Sequence, residues 1–237
     1  MIKGNEQLRR YTTIYPKTVH TINSIDDYRS YGYQLLKQSN NKKLGKKIKK
    51  GVYKDRPLYS LSLCEREMGC PKTCLHWNSC YGNNMPFAHR FRTDDDITFT
   101  SILKNEIINL LKKHKQGIHI RLHVLGDFFS NYYIDFWRSI LFNNEKVSIY
   151  GYTAHKPTSE FGKQIKHVID KMSFERFAIR FSNSNVNLSA NSTEYKPRVI
   201  GQLKGLICPE QDNKVDSCSN CALCWNDKAQ QILFKTH

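Results

Sequence analysis

The stretch Gly117–Trp137, GIHIRLHVLGDFFSNYYIDFW, limits the fold more than any other part of the chain. Ile118, Ile120, Leu122 and Val124 alternate with His119, Arg121 and His123. A period of two marks a strand with one apolar face. Gly126-Asp127 ends that strand and Ser130 supplies a helix N-cap. Tyr133, Phe136, Trp137, Ile140 and Leu141 then give the helix an apolar stripe. The segment reads as strand, turn, helix. Its polar strand face carries Arg121 and His123 toward whatever Asp127 overlooks.

The same alternation recurs on either side. Leu58–Cys64, Val147–Thr153 and Phe177–Ser182 read as strands, with a further strand near Val199–Ile207. Ile97–His114, opened by Asp94-Asp95-Asp96, and Ser159–Met172 read as helices. A β-α-β-α-β series implies a parallel sheet with helical crossovers. Ser60, Ser62 and Cys64, Arg121 and His123, Ser148, Tyr150 and Tyr152, and Arg180 and Ser182 share the face opposite the apolar one. Parallel strands are usually apolar on both faces. A polar face on four of them fits an α/β sheet curled round a polar cavity, a full or partial (β/α) barrel. Its chemistry belongs at the C-terminal ends of the strands. Cys64, Asp127 and the Tyr152-Thr153 loop lie there. On this reading residues 1–56 are a basic extension with one helix starting at Ser24 and running through Tyr28, Leu35 and Leu36, 57–207 the barrel-like core, and 208–237 a cysteine segment.

A chain of 237 residues with 39% hydrophobic and 12% aromatic content can fill a core. No apolar run approaches the ~20 residues of a membrane span, and MIKGNEQLRRY lacks the apolar core of a signal peptide. The expectation is an intracellular, cytoplasmic protein without membrane contact; oligomeric state is not legible. In a reducing compartment its eight cysteines are better read as metal ligands than as disulfides. Cys208, Cys218, Cys221 and Cys224 follow C-x9-C-x2-C-x2-C, closer to ferredoxin-like spacing than to paired zinc hairpins. Cys64, Cys70, Cys74 and Cys80 follow C-x5-C-x3-C-x5-C, which is less diagnostic. Three of these suffice for a [4Fe–4S] cluster with one open iron, and all four would close it. One or two [4Fe–4S] clusters are expected, with zinc the alternative. His76 and His89 are further candidate ligands, and Trp77, Trp137 and Trp225 read as core or shielding residues.

The net charge of +16 is uneven: residues 1–56 hold 14 Lys and Arg against 4 Asp and Glu, a net +10. The densest run, Lys42–Lys50, would attract phosphate backbones through counterion release, without reading bases. The alternative is a solvated surface segment.

Cys80-Tyr81, His123-x-x-Gly126-Asp127-Phe128-Phe129-Ser130 with Trp137, Tyr150-Gly151-Tyr152-Thr153, Cys208-Pro209 and the C-x2-C-x2-C-W ending together resemble the phage and plasmid "gene product 88" family, from Leu58 to Trp225. More distantly the layout resembles radical S-adenosylmethionine enzymes. These place a cysteine motif after their first strand and a Gly-Gly-Glu motif, which holds the methionine amine, after the second. Leu125-Gly126-Asp127 stands where Gly-Gly-Glu would. Cys70 and Cys74 match the first two positions of C-x3-C-x2-C, and Trp77 occupies the third. The resemblance implies S-adenosylmethionine at Gly126 and Asp127; His123, Arg121, Arg180 and Tyr152 on the same polar face complete the candidate site, the two arginines as partners for a ligand carboxylate or phosphate. Each has a plainer reading. Asp127 can cap the next helix, His123 can be a satisfied core histidine, and the arginines can pair with Asp127. The function follows the same fork. One branch is a radical-SAM-like iron–sulfur enzyme acting on or with nucleic acid. The other is a non-catalytic iron–sulfur or zinc-stabilised nucleic-acid-binding protein.

Overall fold

The computed structural model describes residues 13–38, 41–66, 69–182, 184, 189–193, 205–229 and 231–235. Its central sheet is built from β2 (Lys37–Gln38), β3 (Leu58–Ser60), β5 (Ile118–Leu122), β6 (Val147–Thr153) and β7 (Phe177–Phe181), side by side in that order. β2 runs antiparallel to β3 and the other pairs are parallel. The crossovers are α2 (Asp96–Lys113), α3 (Asn131–Asn143) and α4 (Glu160–Met172). Each helix starts where a short polar side chain accepts from its first turn: Asp95, Ser130 and Ser159 respectively. β1 (Val19–Thr21) pairs with β4 (Arg90–Arg92) beside this body, and α1 (Ile25–Tyr31) follows β1. β8 (Ser189–Thr193), β9 (Leu206–Ile207) and β10 (Gln231–Lys235) form a parallel sheet with β10 central.

All three crossover helices cover one face. Phe99, Leu103 and Ile107 of α2, Tyr133, Trp137 and Leu141 of α3, and Ile165 and Val168 of α4 share a core with Ile118, Ile120, Leu122, Ile149 and Ile179. Each such buried side chain contributes ~1.5–3 kcal/mol of transfer free energy. The other face has a core of its own: Leu44, Ile48 and Tyr53 from the basic segment, Leu58, Tyr150 and Ala178 from the strands, and Cys208, Cys224, Trp225 and Ile232 from the C-terminal part.

This second core corrects the expectation of a closed barrel and shows how the two ends of the chain pack. The sheet is mixed and does not close into a barrel among the described residues. Its polar face is filled at one end by Trp225, whose indole meets His119 and Tyr150 at 4.5 and 4.7 Å between ring centres. Nor do 1–56 and 208–237 stand apart from the body. β2 is a strand of the main sheet. Residues 43–49 lie along the cysteine segment, with Cys218 and Ser219 amides donating to the Lys43 and Leu44 carbonyls and the Lys49 amide to Ser219. α1 also ends sooner than its pattern suggests. Gly32 in a left-handed conformation stops it, so Leu35 and Leu36 enter the core from an extended segment whose amides bond the buried Glu106 carboxylate. Of the strand expected near Val199–Ile207, only β9 falls within the described residues.

Candidate functional site

Between β3 and β4 the chain makes the first cysteine loop, and a buried charge network pins it. Arg90, fully buried, donates Nε to Glu65 Oε2 at 2.8 Å and spends its remaining donors on the carbonyls of Gly82, Met85 and Ala88 and on Thr18 Oγ1. Arg66 donates to the Trp77 carbonyl at 3.1 Å and to Asn83 Oδ1 at 2.6 Å. A guanidinium has five donors in a rigid fork, so one arginine can hold several turns of irregular backbone. The adjacent pair Glu65-Arg66 was the only hint of this network in the sequence; Arg90 enters it from 25 residues away.

The loop brings together Cys70, Cys74 and Cys80. Burial raises all three thiol pKa values; Cys70 also feels Cys74 and Cys80, and Cys74 feels Cys80. The nearby Asp127 carboxylate pushes Cys70 and Cys74 further up. Cys64 is not with them. Its side chain is 2% exposed at the end of β3, where its sulfur takes the Thr13 amide and lies near Arg90 and Arg92. Burial and Glu65 raise that thiol to about 11. The set of four read from spacing is therefore a set of three plus one.

The C-terminal cysteines lie within electrostatic reach of one another. α5 (Cys218–Cys221) is a single turn, Ala222 takes φ +63°, and a 3-10 turn runs over Leu223–Trp225. The left-handed Ala222 breaks the helix between Cys221 and Cys224, and Cys218 and Cys224 line the same cavity. β9 delivers Cys208 to them, its amide bonded to the Leu233 carbonyl. Burial, then the neighbouring thiols, push Cys218 up to about 12 and Cys224 to about 11. All eight cysteines are free thiols.

Arg180 holds this loop rather than a ligand. It is fully buried, and its Nε donates to the Cys224 carbonyl at 2.9 Å. Its terminal nitrogens donate to the carbonyls of Ala229, Leu223 and Asn226 at 2.8, 3.1 and 3.0 Å. Tyr152, expected to touch a cofactor, donates its hydroxyl to Cys224 Sγ at 2.9 Å.

Both cysteine loops border one cavity of about 1640 Å³, lined among others by Cys70, Cys74, Cys80, Cys208, Cys218 and Cys224. Gly126 and Asp127 are on its wall. Gly126 sits at φ +79°, and a Cβ there would stand 2.6 Å from Leu63 Cβ, so only glycine allows the turn. Asp127 is 2% exposed and accepts the Phe128 amide at 2.8 Å and the Ala154 amide at 2.7 Å. It ties the ends of β5 and β6 together, and neither arginine is its partner. His123 departs from parity because the β5 ladder ends at Leu122. Though it borders the cavity, its ring packs on Phe128 and Tyr133 and shares a 3.0 Å hydrogen bond with the Tyr133 hydroxyl. Arg121 does face the cavity. Burial opposes its charge, but Tyr150, Tyr81, Tyr152 and Cys218 around it shift its pKa upward overall. Among the described residues no group of three or more His, Cys, Asp or Glu side chains is arranged to hold a metal ion. None of the described helices is long and apolar enough to cross a membrane.

Residues 34–227 match the family described as "Gene product 88". The Gene 88 protein of Mycobacterium phage L5 is 22% identical over 158 residues, which cover 60% of this chain and 64% of that relative. No solved structure matches the chain. With the family match running from β2 through the last cysteine turn, the chain belongs to the gene product 88 family.

Proposed function

We propose that this protein is an iron–sulfur protein with two cluster sites facing one cavity. Cys208, Cys218, Cys221 and Cys224 would hold one cluster. Cys70, Cys74 and Cys80 would hold the other, with one iron left free of protein ligand. The supporting observation is that six of these seven thiols, all but Cys221, line a single cavity from two separately pinned loops. The thiols feel one another's charge, yet no three stand round a point as one ion requires. Zinc would draw four sulfurs to about 2.3 Å from one centre. A four-iron cube offers a separate corner to each thiolate, which suits the C-x2-C-x2-C run with its remote fourth cysteine. Such clusters supply one-electron chemistry when bound. The protein's own part is to exclude water through Trp225 and to fix the loops through Arg90, Arg66 and Arg180.

We read the winding as part of a (β/α) barrel. The parallel strands follow in chain order with every crossover helix on one face, and a bridge from Ser182 to Ala190 leads on toward the second sheet. On that reading S-adenosylmethionine is the ligand for the open three-thiol site, beside Gly126 and Asp127. Anaerobically purified protein should be brown, carry about eight irons and eight sulfides per chain, and bind S-adenosylmethionine. Colourless protein containing zinc would end the iron–sulfur reading. Brown protein indifferent to S-adenosylmethionine would leave a redox or structural iron–sulfur protein.

A second role, contact with nucleic acid, is supported by the basic run. Leu44 and Ile48 are buried anchors, while Lys46, Lys47, Lys49 and Lys50 between and beyond them are exposed. The segment thus presents a fixed ridge of positive charge, partly offset by Lys47–Asp55 at 3.1 Å.

A further inference from the structure

We infer that Arg121 forms an anion-binding seat on the wall of the cavity, specific for a ligand carrying a carboxylate or phosphate group. The inference rests on the cavity proposed above as the working site and names the chemistry of what enters it.

Arg121 projects from the middle of the sheet, with Ser60 and Tyr150 as its neighbours across the ladder. Its Nε is buried without a hydrogen-bond partner, and no carboxylate pairs with it among the described residues. The two acids on the cavity wall are already committed. Glu65 accepts from Arg90 at 2.8 Å and stands 3.7 Å from the Arg66 guanidinium, and Asp127 accepts two backbone amides. The hydroxyl of Tyr150, 1% exposed, has no other partner than the Arg121 guanidinium beside it. Tyr81, from the first cysteine loop, and Tyr152 also lie within electrostatic reach of the guanidinium. A half-buried cation with no carboxylate partner is costly, and the sheet keeps one where the cavity meets it. The planar fork of a guanidinium matches carboxylate or phosphate oxygens two at a time, and a phenol adds a third donor. Arg180, by contrast, has its donors filled by carbonyls. The two arginines that looked alike in the sequence thus do different work. Arg180 builds the wall, and Arg121 is left over for what enters.

The test uses full-length, anaerobically purified protein with its iron counted. Inorganic phosphate and acetate are titrated separately by calorimetry at constant ionic strength, with chloride as the reference anion. Saturable one-to-one binding of at least one probe is expected, and which one saturates assigns the group. Arg121→Gln should weaken it by about tenfold or more at unchanged iron content, while Arg121→Lys should retain part of it and Tyr150→Phe should weaken it less. Equal affinity in wild type and Arg121→Gln, or no saturable binding of either anion, would overturn the seat. So would an Arg121→Gln effect confined to the cluster's reduction potential, which would make Arg121 the counter-charge of the Cys218 thiolate. Iron absent with binding intact would sink the cluster reading and leave the seat standing.

Discussion

The hydroxyl of Tyr152 donates to Cys224 Sγ at 2.9 Å, joining β6 to the C-terminal cysteine loop. Burial and the neighbouring thiol keep that phenol protonated, its pKa raised well above the ordinary value. Hydrogen bonds to a cysteine sulfur stabilise its anionic form and tune any metal it ligates. In Tyr152→Phe the sulfur loses its donor with little change in volume. The expected cost is about 1–2 kcal/mol in anaerobic denaturation, with a more negative reduction potential for the C-terminal site. A variant matching wild type in both would show that the contact has no energetic role.

The division of the first cysteine set gives a sharper check. Serine at Cys70, Cys74 or Cys80 should each remove about one cluster's iron, as should Cys221→Ser at the other site. Cys64→Ser should leave the iron count unchanged, because that thiol faces Thr13 and Arg90 instead of the cavity. Iron lost from Cys64→Ser to the same extent as from Cys74→Ser would reject the three-plus-one arrangement.

Arg180 satisfies four backbone carbonyls of the second loop. Arg180→Met removes every donor and leaves buried acceptors unpaired, at about 1–3 kcal/mol for each one that finds no water. A loss of at least about 3 kcal/mol in urea denaturation is expected, together with iron from the C-terminal site. Arg180→Lys, with a single nitrogen, should rescue little.

His119 and His123 are both buried, 0% and 4% exposed, and burial lowers each pKa to about 3, helped by Arg56 at the first and His155 at the second. In the unfolded chain each titrates near 6.5. Unfolding therefore takes up two protons between those values. The stability that the two histidines lend is whole above about pH 6.5 and is lost as pH falls toward 3. At pH 5 the loss relative to pH 8 is roughly 4 kcal/mol. Asp127, whose carboxyl burial raises, acts in the opposite sense. The comparison to make is urea midpoint against pH for wild type and for His119→Asn with His123→Gln. The double variant should show a flatter acid limb, and parallel limbs would contradict the assignment.

If the ridge of Lys46, Lys47, Lys49 and Lys50 contacts nucleic acid, affinity should fall steeply with salt and the fourfold Lys→Gln variant should flatten that slope. The exposed lysine heads make the variant safe for folding, since the buried anchors Leu44 and Ile48 are untouched. An unchanged slope would reduce the segment to a solvated cover for the cysteine loop. That covering role is fixed by Gly45, whose φ of +74° and close approach to Ser219 leave no room for a side chain.

Local signals in the chain were enough to determine the elements. Period-two alternation, capping Ser and Asp residues and helical stripes place β5, α3, β6, α4 and β7 to within a residue or two, because each depends on near neighbours. The C-x2-C-x2-C run forms a helical turn and a 3-10 turn joined at the left-handed Ala222. Only the tertiary structure decided what each polar residue does. Parity put Arg121 and Arg180 on the same face of the sheet, but the partner of a buried charge comes from whatever segment packs there. For Arg180 that is a loop 43 to 49 residues away; for Arg121 it is the open cavity. Cys64 and Cys70 are near in sequence and face different surroundings because the Glu65–Arg66–Arg90 network turns the chain between them. Spacing encodes what a single turn can reach. Long-range packing, driven by burial of Leu44, Ile48 and Trp225 against the sheet, determines which of those groups meet.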